Sequence, residues 1–218
     1  MAFLQNILGR LVHGGETEDP DPPAHFANVV IFGEAGVGKS SLINLITGLG
    51  RAQTSPDVNP CTGHNHGYGV TIGHRAFKIW DTVGLDSGGW FRARLAAWNL
   101  KRFLSQMLER NKLGLLVYCV RASRATVTTL NHYETFYSKV CGEYAVPIVV
   151  VLTGCERLDD MDSWWEENGY RYSDLAFRGH ACVTTLPDTP NDTALQRKRA
   201  YSRRVVHDLI SQHCLPLE

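Results

Sequence analysis

Eight consecutive residues, Gly33-Glu34-Ala35-Gly36-Val37-Gly38-Lys39-Ser40, carry the clearest chemistry in this sequence. Glycines at the first, fourth and sixth places let a loop wrap tightly, so that its backbone N–H groups point inward at an anion. The loop follows a short apolar run and opens a helix, whose N-terminus adds partial positive charge. Lys39 is placed to reach the β- and γ-phosphates of a nucleotide, and the Ser40 hydroxyl to ligate Mg²⁺. Ser41 follows in the first helical turn and extends the cradle. A second group, Asp81-Thr82-Val83-Gly84, ends another apolar run. Its aspartate can hold Mg²⁺ through water, and the Gly84 N–H can contact a γ-phosphate. Between the two groups lies a loop over 51–69, rich in glycine and polar residues. There Thr62 is the favoured residue to close over Mg²⁺ while a γ-phosphate is present, with Thr54 and Ser55 as competitors.

These groups need a scaffold that brings several loops to one edge. The apolar runs 29–32, 76–80, 113–120 and 147–152, with 181–185 as a last strand, read as β-strands. The runs at 113–120 and 147–152 are continuous, as in strands buried on both faces of a parallel sheet. Helical spacing occupies 39–49, 91–108, 127–141, 161–168 and 194–213. Alternation of the two predicts a three-layer, doubly wound, mostly parallel α/β sheet over 27–218, with its ligand beyond the carboxyl ends of the strands. Ahead of it, Phe3, Leu4, Ile7, Leu8, Leu11 and Val12 space an amphipathic helix over 1–13, and 14–26 reads as an acidic, proline-rich linker.

Composition narrows the classes. A 44% hydrophobic content supplies a core and argues against disorder, and 22 basic residues balance 22 acidic ones, which gives no basic footprint for nucleic acid. The six cysteines form no CxxC pair, and no apolar run approaches the ~20 residues that span a bilayer. A reducing, cytoplasmic setting is the expectation. Residues 1–13 offer a contact with a protein partner or a membrane surface, although Gln5, Asn6 and Arg10 lack the basic richness of interfacial helices.

With both motifs in place, the chain resembles the TRAFAC-class P-loop GTPases. Its later stretches, 115–121, 147–156, Asp162-Ser163-Trp164-Trp165 and Gly179-His180-Ala181-Cys182, resemble the fungal G domain-containing proteins. Those are distantly similar to AIG1/GIMAP, Toc34 and septin-like GTPases. The resemblance implies a G domain that binds GTP and GDP with Mg²⁺. It places Thr153-Gly154-Cys155-Glu156 where such proteins carry [NT]-K-x-D, the reader of guanine. Glu156 offers the same two carboxylate oxygens to guanine N1–H and the 2-amino group on a longer stem. Adenine would present an acceptor to that carboxylate, which repels. Gly154 lacks the lysine stem that packs on the base plane. Thr184 and Thr185 fall where family members contact the base through backbone.

A second departure touches hydrolysis. Leu85 stands where Ras-like proteins carry the glutamine that orients water, so slow hydrolysis is expected unless a partner or a second copy assists across the nucleotide face. Arg92, Arg94, Arg121 and Arg124 are candidates to stabilise charge on the transferring phosphoryl group, and His64 or His66 to position water. The nucleotide-dependent element would be 51–69 with 85–90, and Trp164 and Trp165 are expected to pack, one in the core and one partly exposed. Two further readings remain open: a pseudo-GTPase scaffold that holds nucleotide without turnover, and a P-loop ATPase with relaxed base choice.

Overall fold

Val29, Val30, Ile31 and Phe32 are all fully buried, yet they serve two different cores. In an extended chain successive side chains point to opposite faces, so Val29 and Ile31 enter one apolar cluster while Val30 and Phe32 enter the other. This strand is β1 (Ala27–Phe32) at the centre of a six-stranded sheet. The computed structural model describes residues 26–48, 65–85, 90–110, 112–124, 132–138, 140–141 and 146–216.

The other strands are β2 (His66–Ile72), β3 (Arg75–Asp81), β4 (Leu113–Arg121), β5 (Ile148–Thr153) and β6 (His180–Val183). Their order across the sheet is β2-β3-β1-β4-β5-β6. Every pairing is parallel except the hairpin of β2 with β3. Helices are α1 (Lys39–Thr47), α2 (Trp90–Glu109), α3 (Ser163–Asn168) and α4 (Thr193–His213), with a π-helical turn at Tyr133–Ser138. One face of the sheet is covered by α1 and α4 through Leu42, Ile46, Val206 and Ile210. The opposite face is covered by α2 and the π-helical turn through Leu104, Met107 and Phe136, with Met161 ahead of α3. Three layers result, and both central strands carry the continuous apolar sequence that burial on two faces requires.

The sheet and helices agree with the sequence reading in type and order, with two differences. The edge strand β2 occupies part of what reads as a loop over 51–69. Its burial alternates, with Tyr68, Val70 and Ile72 turned toward the core, but Gly67 and Gly69 hide that period in the sequence. Helical spacing over 127–141 appears among the described residues only as the π-helical turn. Both Trp164 and Trp165 are partly buried, and Trp165 stacks on His180 at 4.1 Å and on Tyr172 at 5.4 Å. Both pack within the domain and both stay partly exposed, so the expected placement of one of them in the core does not hold. The segment 1–13 and most of the linker 14–26 lie outside the described residues.

Candidate functional site

The turn from β1 into α1 is shaped by three glycines with positive φ: Gly33 at 154°, Gly36 at 72° and Gly38 at 97°. A β-carbon added at Gly33 would fall 2.2 Å from the Cys119 carbonyl oxygen of β4, so only glycine lets the loop cross the sheet there. The Lys39 side chain curls back along the loop, donating from Nζ to the carbonyls of Gly33 at 3.1 Å and Glu34 at 2.8 Å. It is only 7% exposed. Its ammonium is thus fixed inside the loop rather than free in solvent. Ala35 sits against Gly84, whose added β-carbon would fall 2.7 Å from the Ala35 Cα. The Leu85 N–H donates to the Gly33 carbonyl at 3.3 Å. Two motifs separated by some forty residues in sequence therefore share one contact surface, because β1 and β3 are parallel neighbours.

Beside them, the Ser40 hydroxyl donates to Asp81 Oδ2 at 2.7 Å. The other carboxylate oxygen, Oδ1, is buried with no hydrogen-bond partner. Burial pushes the Asp81 carboxyl above its ordinary value, opposed by the Ser40 hydroxyl, the Lys39 and His66 charges and the Thr82 N–H. A buried carboxylate oxygen left open beside a hydroxyl suits a hard cation that takes oxygen ligands. Among the described residues no cluster of three His, Cys, Asp or Glu could hold a metal by itself. Mg²⁺ keeps several waters and takes phosphate oxygens from its substrate, so it needs few protein ligands. Since the folded carboxyl titrates higher than the unfolded one, its ionised form costs stability, and that cost grows as pH rises through the folded value. Asp81→Asn is therefore expected to leave the nucleotide-free melting temperature at pH 7.5 unchanged or raised. It should also abolish the Mg²⁺ dependence of nucleotide affinity, read by titration with and without chelator.

At the carboxyl ends of β5 and β6, Thr153 Oγ1 donates to the Val37 carbonyl at 2.5 Å. This ties the end of β5 to the phosphate loop. Gly154 follows with φ at 83°. The Cys155 N–H donates to the Val183 carbonyl at 3.2 Å, joining the loops of β5 and β6. Glu156 is half-buried, and its backbone carbonyl accepts from Lys198 Nζ at 3.0 Å, so α4 holds this loop in place. Thr184 is fully buried and its N–H donates to Ser202 Oγ at 3.0 Å, which engages the donor assigned to the base. Its neighbour Thr185 is turned to the loop instead, with Oγ1 3.3 Å from where a β-carbon on Gly38 would be.

The remaining sequence candidates separate. Thr62, His64, Thr54 and Ser55 lie outside the described residues, as do the side chains of Arg92 and Arg124. Arg94 is exposed on α2. His66 opens β2 directly across from Asp81. Arg121, exposed at the end of β4, pairs in register with Thr153. Leu85 is 4% exposed and belongs to the apolar layer beneath α2. One residue escaped the sequence reading: His132 approaches Glu34 at 4.0 Å between Nδ1 and Oε1 and lies 3.4 Å from the Tyr118 hydroxyl. No spacing marks it, because it reaches the loop only through the fold.

The fold has solved counterparts. Aquifex aeolicus Era bound to GDP.AlF4- superposes with a TM-score of 0.62 at 15% identity, covering 89% of this chain and 58% of that one. Toc33 from Arabidopsis thaliana, in complex with Mg²⁺ and GMPPNP, gives 0.51 at 19% identity, with 87% of each chain covered. A dimerization-deficient variant of Toc33 gives 0.55 at 19% identity, covering 84% and 82%. This chain thus spans 58% of the length of the Era chain it matches. No curated protein matches the sequence. The family model described as "50S ribosome-binding GTPase" matches residues 28–153, more than half of the chain, from the second residue of β1 to the end of β5. With its phosphate loop, its Asp81 group and its sheet order, the chain belongs to that family as a P-loop GTPase G domain.

Proposed function

We propose that this domain binds GTP and GDP with Mg²⁺ and hydrolyses GTP slowly, as a nucleotide-dependent switch or assembly module. The observation that carries the reading is the open, buried Asp81 Oδ1 beside Ser40, at the mouth of a loop with the Lys39 ammonium folded inside it. Ser40 and Asp81 would hold the cation, joined by Thr62. When bound it neutralises charge on the phosphate oxygens, while Lys39 and the loop N–H groups from Gly33 to Ser41 bind and orient the phosphates. Glu156 reads guanine, with Thr153 and Thr185 bracing the loop against the cradle. One observation supports a domain working inside a reducing compartment: Cys119, Cys141, Cys155, Cys182 and Cys214 are all buried free thiols.

Slow turnover follows from Leu85. A buried apolar side chain does not orient a water, and a glutamine placed in the same buried position would be held away from one. Leu85→Gln is expected to lower stability by ~1–3 kcal/mol, because it buries an amide without partners. It should not accelerate single-turnover hydrolysis. A faster variant with an unchanged melting temperature would contradict this placement.

The decisive experiment is single-turnover hydrolysis of GTP over a hundredfold range of protein concentration, beside titrations with GTP, GDP and ATP. A slow rate that climbs with concentration supports assistance from a second copy, for which Arg94 on α2 and Arg121 at the end of β4 are the candidates among the described, exposed arginines. A slow, flat rate leaves assistance to another partner. Absent turnover with tight GDP binding would select the scaffold reading, and equal affinity for ATP the relaxed ATPase. No binding of any nucleotide would end the proposal.

A further inference from the structure

The position that family members fill with lysine is Gly154, and that residue has no side chain to lay against a base. The space is nevertheless filled. A β-carbon built on Gly154 would meet Arg121 Cγ at 3.5 Å and Nε at 3.6 Å. The arginine comes from the neighbouring strand: β4 and β5 are parallel, and Arg121 pairs in register with Thr153, one residue before Gly154. We infer that Arg121 supplies in cis the purine-packing surface that Gly154 lacks, making it a base-binding residue and not a catalytic arginine. The inference rests on the nucleotide-binding reading above.

Three observations converge on this role. Gly154 has φ at 83°, a conformation other side chains enter only with strain, so the backbone at that place is committed to glycine and the platform has to come from elsewhere. Arg121 sits on a rigid element, the last residue of a nine-residue strand whose preceding eight residues are buried, so its stem is aimed by the sheet and not by a loop. Arg121 is nevertheless an exposed residue. A methylene stem topped by a planar cation offers one flat apolar and cationic surface to a purine π-face. That arrangement favours the base without choosing among bases. Selection between guanine and adenine is then left to Glu156, two residues beyond Gly154.

The division of labour makes a test that separates packing from catalysis and from fold. Titrate the wild type, Arg121→Ala and Arg121→Lys with GDP, ADP and inorganic pyrophosphate, and measure single-turnover GTP hydrolysis at saturating nucleotide. Loss of base stacking predicts about tenfold or greater weakening of GDP binding in Arg121→Ala. Any ADP binding should fall in proportion, while pyrophosphate affinity, the rate at saturation and the melting temperature stay unchanged. Arg121→Lys, which keeps a stem, should recover part of the loss. Unchanged GDP affinity with a collapsed rate would make Arg121 a catalytic arginine and overturn the inference alone. Parallel loss of GDP and pyrophosphate would make it a support of the loop and overturn it as well. A wild type that binds pyrophosphate but no purine nucleotide would remove the nucleotide-binding reading and this inference together.

Discussion

Lys39→Ala should bind GTP and GDP at least a hundredfold more weakly than the wild type while retaining its fold. The lysine is 7% exposed, and its ammonium donates to the carbonyls of Gly33 and Glu34, which holds the charge inside the loop that would wrap the phosphates. Charge-assisted hydrogen bonds contribute ~1.5–3 kcal/mol each. At ~1.4 kcal/mol per tenfold in affinity, contacts to two phosphates amount to a factor of ~10² to 10⁴. Calorimetric titration reads the loss directly. The Gly33 carbonyl keeps the Leu85 N–H as a donor and Glu34 is only half-buried, so the nucleotide-free variant should melt within a few degrees of the wild type. Lys39→Arg should fail nearly as badly, since a rigid fork cannot take the place of a point charge on a flexible stem. Undiminished affinity in Lys39→Ala would mean that the phosphates bind elsewhere.

The residues behind that prediction were legible because their chemistry demands local spacing. Gly33 to Ser40 must be contiguous to form one turn into α1, and Asp81 to Gly84 contiguous to end β3. The apolar runs of β1, β4 and β5 announced themselves through burial on two faces. What the sequence hid, beyond the mostly parallel arrangement, was the register and the contacts between strands. The approach of Gly84 to Ala35 depends on β1 pairing with β3. The position of Arg121 over Gly154 depends on β4 pairing with β5 in a particular register. Reading Arg121 by its place in the chain, after the fourth strand, suggests a candidate to stabilise charge on a transferring phosphoryl group. Reading it by its neighbour assigns it a surface. Thr184 and Thr185 illustrate a finer loss: the Thr184 N–H is engaged by the Ser202 hydroxyl of α4, while the Thr185 hydroxyl lies beside Gly38 of the phosphate loop. His132 has no local signal at all.

The largest structural effect belongs to a glycine, and it concerns the sheet more than the ligand. Gly33→Ala should not yield a soluble folded protein. Its β-carbon would stand 2.2 Å from the Cys119 carbonyl oxygen, far inside contact distance, on a backbone at φ 154°. Relief would require β4 to move. Cys119 is 1% exposed, its strand pairs with β1 on one side and β5 on the other, and its neighbours Leu116 and Val117 are fully buried. A clash against immobile backbone belongs with the exceptional substitutions that cost more than ~4 kcal/mol. That is comparable with the whole stability of a domain, ~5–15 kcal/mol. Gly36→Ala is the control in the same loop. Its φ is 72° but no atom lies within 4 Å of the added carbon. Only backbone strain of ~1–2 kcal/mol remains, and at ~2–4 °C per kcal/mol for a chain of this size the melting temperature should fall by ~2–8 °C. Thermal unfolding of the two purified variants separates the roles. A folded Gly33→Ala would show that β4 yields where its pairing says it cannot. An unfolded Gly36→Ala would show that the outer turn of the loop carries contacts beyond those of the free domain.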